Sequence, residues 1–245
     1  MECFVVDPSD VDTEEGILTL RGDEAHHAAK ALRLRIGETF GATNLCGCCY
    51  RAIVQDIIEE KKESIVIAKI TETLANNNDP EIDVILVQAM LSQASKFEEI
   101  VERCTELGVS GFIPVTSERV ERSSLKKERI ERLLKVGCKQ TFRATIPTFT
   151  EISSLEEVLS VLVKENRKIV VLHEAADNKQ TLHSYMEGLK KEKVALLIGP
   201  EGGFTDREVA LSRVRYGAIV ASLGKRRLRA ETAAITAAAV AMSFE

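Results

Sequence analysis

From residue 1 to residue 73 apolar and polar positions alternate over short stretches: Cys3 to Val6, Ile17 to Leu20, Thr39 to Thr43, Tyr50 to Ile58 and Ser64 to Ile70. A period of two puts successive side chains on opposite faces of an extended chain, so each stretch predicts a short strand. Asp23 to Leu32 breaks that rhythm and predicts a helix, closed by Arg33-Leu34-Arg35-Ile36-Gly37. Together these elements read as a small β-rich barrel. Residues 74–80, Leu-Ala-Asn-Asn-Asn-Asp-Pro, favour turns and have almost nothing to bury, which predicts a linker.

After the linker the pattern changes. Ile82 to Met90 is a continuous apolar run, as in a strand covered on both faces. Ser95-Lys96-Phe97-Glu98 has capping-box spacing, and Phe97, Ile100, Val101, Cys104 and Leu107 then recur at helical intervals until Gly108. Phe112 to Val115 predicts the next strand. Leu125 to Gln140 and Ser154 to Glu165 are charged, amphipathic helices. Strands follow at Lys168 to Leu172, Val194 to Ile198 and Ala218 to Ser222. A helix opening on a second capping box, Thr205-Asp206-Arg207-Glu208, separates the last two, and Ala230 to Met242 is an alanine-rich helix. Strands alternating with helices predict an α/β domain on a parallel sheet over residues 81–245.

Composition adds bounds. A hydrophobic fraction of 44% and a charged fraction of 29% are ordinary for a soluble globular chain. The start, Met1 to Asp7, carries no basic segment followed by an apolar run, and no later stretch has bilayer-spanning length, so a cytosolic protein with no membrane partner is expected. Six cysteines without a disulfide-like framework read as thiols. Cys46-Gly47-Cys48-Cys49, with His26 or His27 as a further ligand, lacks the paired spacing of structural zinc sites. Alternation along a strand is the preferred reading there, and no metal is expected. A net charge of −5 opposes general attraction to nucleic acid. Basic residues nonetheless gather at Arg33/Arg35, Arg119/Arg122, Lys126/Lys127 and Lys225-Arg226-Arg227-Leu228-Arg229, so composition neither shows nor excludes an RNA partner.

The candidate chemistry lies where the last strands end: Ile198-Gly199-Pro200-Glu201-Gly202-Gly203-Phe204, and Ser222-Leu223-Gly224-Lys225 through Thr232. Open α/β sheets bind ligands outside the carboxyl ends of their strands. Glycines there let backbone groups approach a flat ring such as adenine. The spacing matches neither the dinucleotide fingerprint nor the phosphate loop. A pair of tight turns is the bland alternative, and a phosphate-binding site at the start of the Thr205 helix is another.

Ile198-Gly-Pro-Glu-Gly-Gly-Phe204, with Leu223-Gly-x-Arg-x-Leu-Arg-x-Glu-Thr-Ala233, resembles the RsmE family of 16S ribosomal RNA methyltransferases, which belong to the SPOUT class. Upstream, His26-His27 with Leu32-Arg33-Leu34 and Gly37, Glu106-Leu107-Gly108-Val109 with Pro114 and Glu118-Arg119, and Gln140 and Arg143 before Pro147 resemble further family segments. The likeness covers essentially the whole chain. Two positions depart from it: Lys225 and Arg227 stand where the family commonly has Pro and Ile.

The resemblance implies an N-terminal PUA-like RNA-binding barrel over residues 1–73 and a C-terminal SPOUT domain whose backbone forms a deep trefoil knot. It further implies a homodimer that uses S-adenosylmethionine to methylate N3 of one uridine in 16S rRNA of the small ribosomal subunit. By the same resemblance the cofactor would lie against Leu172, Ile198, Gly199, Pro200, Glu201, Gly202, Gly203, Ser222, Leu223, Gly224 and Leu228, with Glu231 and Thr232 beside them. Glu231 either binds through its side chain or favours the helix start as an acidic first-turn residue. Arg229, then Arg226, are the candidates for stabilising a uridine anion, their alternative being a solvated basic loop. Glu201 is a candidate base or a residue that orients backbone amides. Arg33, Arg35, Arg119, Arg143, Lys225 and Arg227 are expected RNA contacts. The rival reading is an RNA-binding assembly factor that keeps the fold without catalysis.

Overall fold

The computed structural model describes residues 1–59, 63–119, 124–174, 176, 179–189 and 192–244. Arg122, one of the basic residues noted above, lies outside them. The chain divides into two compact units, Met1–Asp79 with Lys135–Ile146, and Pro80–Leu134 with Pro147–Glu245.

The first unit is built on six strands: β1 (Cys3–Val5), β2 (Val11–Asp12), β3 (Ile17–Leu20), β4 (Thr39–Thr43), β5 (Cys48–Glu59) and β6 (Ser64–Ala75). They hydrogen-bond in the order β1-β4-β5-β6-β3-β2. Alternation works as the pattern predicts: Leu18 and Leu20, Ala52 and Val54, and Val66 and Ala68 turn inward onto Phe4 and Phe40. The helix expected at Asp23 to Leu32 is a short helix, α1 (Gly22–His26), followed by a π-helical turn, His27–Ala31. Arg33 then takes a left-handed backbone, φ 55. Cys46 pairs with Thr145 in an isolated antiparallel bridge and Gly47, at φ 108, bends the chain into β5, so strand alternation begins only at Cys48.

Residues 135–146, expected in the second domain, belong to this unit. Lys139 Nζ lies 2.8 Å from Glu24 Oε2 and 5.7 Å from the centroid of the Phe4 ring. Thr43 Oγ1 donates to the Arg143 carbonyl at 2.9 Å, and the Thr145 N–H and hydroxyl donate to Asp79 at 2.8 and 2.6 Å. Arg143 itself is 3% exposed, its Nε 3.5 Å from Asp79 Oδ1. Its guanidinium is internal to the unit and is not presented to solvent, which corrects its expected role as an RNA contact.

The second unit holds β7 (Val84–Ala89), α2 (Ala94–Glu106), β8 (Gly111–Thr116), α3 (Lys127–Thr141, shared with the first unit from Lys135), β9 (Thr148–Phe149), β10 (Ser153–Ser154) and α4 (Leu155–Lys164). It continues through β11 (Lys168–Leu172), α5 (Leu182–Met186), β12 (Val194–Ile198), α6 (Asp206–Tyr216), β13 (Ile219–Ala221) and α7 (Ala230–Met242). All pairings in its sheet are parallel, in the order β10-β8-β7-β12-β11-β13, with β9 beside β8. Every residue of β7 and β12 is buried, as a sheet covered on both faces requires. Ile85, Val87, Ile169, Val171, Ala195 and Leu197 pack on one face against Leu155, Val158, Leu159 and Leu162 of α4. α7 packs against β7 and β12 and against α2.

The capping box read at Thr205 is present: its hydroxyl accepts from Glu208 N–H, and Glu208 Oε2 accepts from Thr205 N–H. The one read at Ser95 is not. Helix α2 is capped at Gln93 without a side-chain bond, so Ser95 already lies inside the helix. A true box that the pattern reading passed over sits at Ser154 and Glu157. Among the described residues no helix is long and apolar enough to cross a membrane.

Candidate functional site

The adjacent strands β12, β11 and β13 run parallel, so their carboxyl ends open on one edge of the sheet. The loops that leave them enclose a cavity of about 290 Å³. Its wall is Leu172 to Glu174, Ile198 to Phe204, Ser222 to Gly224 and Arg226 to Leu228, completed by Arg119, Asp206, Ala230 and Ala233.

The Gly199–Phe204 loop folds back sharply. Gly203 N–H donates to Pro200 O at 2.8 Å, and Gly203 has φ 69. A Cβ on Gly199 would stand 2.7 Å from the Phe204 nitrogen, so only glycine fits there. Side chains distant in sequence hold this loop from outside. Gln88, fully buried, donates through Nε2 to Gly199 O at 3.3 Å. Arg119 Nη1 donates to Gly202 O at 2.6 Å. Glu201 accepts from Ser92 Oγ at 2.6 Å and from Lys96 Nζ at 3.3 Å. Glu118 N–H donates to Glu208, and Thr205 Oγ1 donates to Glu118 at 2.9 Å, which ties the start of α6 to the segment after β8.

Partial burial tends to raise the Glu201 pKa, but hydrogen bonds from Ser92, from its own backbone and from Lys96 outweigh it. The carboxyl is held below the ordinary carboxylate range. A general base needs proton affinity near the working pH and a lone pair facing substrate. Glu201 is turned onto Ser92 and Lys96, a geometry that anchors the loop.

The second loop is pinned by Ser222, which is 2% exposed. Its N–H donates to Gln180 O at 2.8 Å and its carbonyl accepts from Leu182 N–H at 2.9 Å. Its hydroxyl accepts from Gly224 N–H at 3.0 Å, where Gly224 takes φ 113. Beyond that turn Lys225, Arg226 and Arg227 are exposed. Arg226 and Arg227 line the cavity, whereas Lys225, Arg229, Glu231 and Thr232 do not. Arg227 Nε lies 3.1 Å from Glu174 Oε2. Arg229 is exposed at the N-cap of α7 and makes no side-chain cap bond; Glu231 follows in the first turn. In the first unit Arg33 and Arg35 are exposed.

Pattern reading found the two loops but missed Gln88, Ser92, Lys96, Glu174 and Asp206. Gln88 carried a signal, being the one polar residue in an otherwise apolar strand. Ser92 and Lys96 carried none, because their partner is more than a hundred residues away.

The cavity wall grades from Leu172 and Ile198, with 9% and 2% exposure, to the exposed Glu174, Arg226 and Arg227. A flat heterocycle suits the apolar end and its glycine backbone, and a charged tail suits the mouth. Residues 77–242 match the family of RNA methyltransferase domains. The chain is 31% identical to the ribosomal RNA small subunit methyltransferase E of Synechocystis, over 92% of this chain and 72% of that one. It is 32% identical to the protein of the same name from Aquifex aeolicus, over 93% and 95%. The chain belongs to the RsmE family of RNA methyltransferases. The RsmE structure from Neisseria gonorrhoeae, solved with bound S-adenosyl methionine, superposes with a TM-score of 0.79 at 25% identity, covering 99% of this chain and 97% of that one. RsmE membership accounts for the α/β fold and for the glycine loops that leave β12 and β13, the parallel strands on either side of β11.

Proposed function

We propose that this chain uses S-adenosylmethionine to methylate N3 of a specific uridine in 16S rRNA of the small ribosomal subunit, in the cytoplasm. The observation that carries the reading is the cavity bounded by the two glycine loops, in a chain whose relative of the same family and fold was solved with that cofactor. The bound cofactor supplies a methyl group on a positively charged sulfur. Leu172, Ile198, Leu223 and Leu228 offer an apolar bed for its adenine, and the backbone of Gly199 to Gly203 and Ser222 to Gly224 offers hydrogen-bonding groups.

The protein's task is alignment of the uridine nitrogen with the methyl carbon, and stabilisation of the negative charge that uridine develops as N3 loses its proton. Arg229 and Arg226 take that second role in this reading, since a guanidinium stays charged and offers several donors. We further propose that the first unit is a PUA-like barrel contacting RNA through Arg33 and Arg35. In the same reading the second unit is a SPOUT domain with a trefoil knot, the active form is a homodimer, and Lys225 lies along the RNA path.

Calorimetric titration with S-adenosylmethionine, with ATP and GTP as controls, tests the reading. Saturable binding of the methyl donor alone is the expected result. RNA affinity without cofactor binding would favour the non-catalytic assembly factor, and preferential nucleotide binding would favour a phosphate site at Thr205. Arg229→Ala is expected to depress single-turnover methylation of small subunits by about tenfold to a hundredfold, with cofactor affinity nearly intact. Equal loss of both would move Arg229 into the cofactor pocket.

A further inference from the structure

The charged groups on the cavity wall are not equivalent. Arg119 is engaged with Gly202 O, and Glu201 with Ser92 and Lys96, so both are committed to holding the loop. Glu174 and Arg227 are different. They stand on separate loops, one two residues beyond β11 and the other in the turn between β13 and α7, and meet each other across the wall at 3.1 Å. Their side chains are 57% and 70% exposed, so the pair lies at the open end, while Leu172 lies deeper at 9%. An exposed ion pair of this kind contributes little to stability, because water and salt screen it.

We propose that Glu174 and Arg227 form the subsite for the amino-acid end of the methyl donor, Glu174 taking its α-ammonium and Arg227 its α-carboxylate. The inference rests on the reading of the cavity as a methyl-donor site. An acid and a base side by side present the complement of a zwitterion, and a guanidinium matches a carboxylate in shape as well as charge. Entry of the zwitterion exchanges one screened pair for two pairs, each partly shielded by the bound ligand. Placing that end at the mouth leaves the adenine on the apolar, glycine-lined part of the wall, where no charged partner is needed.

Three ligands separate this subsite from the rest of the pocket. S-adenosylmethionine and S-adenosylhomocysteine both carry the zwitterion, but only the first has a charged sulfur; 5′-methylthioadenosine lacks the amino-acid end. Titrated calorimetrically, Arg227→Ile and Glu174→Gln are each expected to weaken the first two ligands by about fivefold to twentyfold and to leave the third within about twofold. The weakening should shrink as salt is raised. Equal weakening of all three ligands, or none, would overturn the inference, since the pair would then shape the loop or do nothing for the ligand. Weakening of S-adenosylmethionine alone would overturn it too, assigning Glu174 to the sulfur charge. Failure of the unsubstituted protein to bind any of the three would sink the methyl-donor reading itself. Both residues are exposed, and a circular dichroism melt of each variant confirms that the comparison is between folded proteins.

Discussion

Glu201 shows how much a residue's neighbours decide about its chemistry. In the sequence it is a carboxylate in a glycine turn, equally suited to take a proton or to hold backbone in place. The structure supplies Ser92 and Lys96, and with them the direction of the pKa shift. Because the folded pKa is depressed, the clamp is fully present above the ordinary carboxylate value and is lost as pH falls through the folded one. The stability advantage of the unsubstituted protein over Glu201→Gln, read by urea unfolding, should therefore be constant near neutrality and shrink only in acid. An advantage that grows in acid would mean a raised pKa and favour a base. At neutral pH the same substitution should weaken S-adenosylmethionine binding by about threefold to tenfold, roughly 1 kcal/mol, a modest effect because the pair is partly exposed. The anchor could not be found from the motif alone. Gly199 and Gly203 announce a tight turn by their composition, but Gln88, Ser92 and Lys96 become partners only when β7 and β12 lie side by side.

At the scale of elements, what was legible had local causes. Lys168–Leu172, Val194–Ile198 and Ala230–Met242 fall where the pattern puts them, because a buried strand or an alanine-rich helix declares itself over its own length. The two-residue strands β9 and β10 and the five-residue α5 are too short to show a period. The Ser-x-x-Glu spacing at Ser95 misled because a cap depends on where the preceding backbone stops being extended. That point is Gln93, just beyond the Ser92 that Glu201 holds. Thr205 illustrates the opposite case, a cap legible locally that also does distant work. Its hydroxyl accepts from Glu208 N–H and donates to Glu118. Thr205→Ala removes both bonds, with an expected loss of about 1–2 kcal/mol in urea unfolding. Thr205→Ser, which keeps the hydroxyl, should recover most of it; a serine variant as weak as alanine would show that the methyl packing matters and the two bonds do not.

For the whole molecule the least legible feature is the path of the chain. A break in composition at residues 74–80 suggests two consecutive domains, and nothing in the local pattern shows that the chain comes back. Yet Lys135–Ile146 belongs to the first unit. The residues that make the return are ordinary on paper: a lysine on a charged helix face, a threonine and an arginine after it. Their meaning comes from partners about a hundred positions away, Glu24 and Phe4 for Lys139, and Thr43 for the Arg143 carbonyl. Without that segment Thr43, which is fully buried, loses the acceptor of its hydroxyl. Asn77 likewise loses Phe142 O, and Asp79 loses both bonds from Thr145. Losing these hydrogen bonds costs about 0.5–1.5 kcal/mol each, together a large share of what a domain of this size has to spare. A fragment of residues 1–79 should therefore lack a cooperative thermal transition and give poorly dispersed amide resonances. The same fragment continued through a flexible linker into residues 135–146 should show both a transition and dispersed resonances. If residues 1–79 alone melt cooperatively, the returning segment is an accessory to the first unit, and the sequential two-domain reading is the better description of how this chain folds.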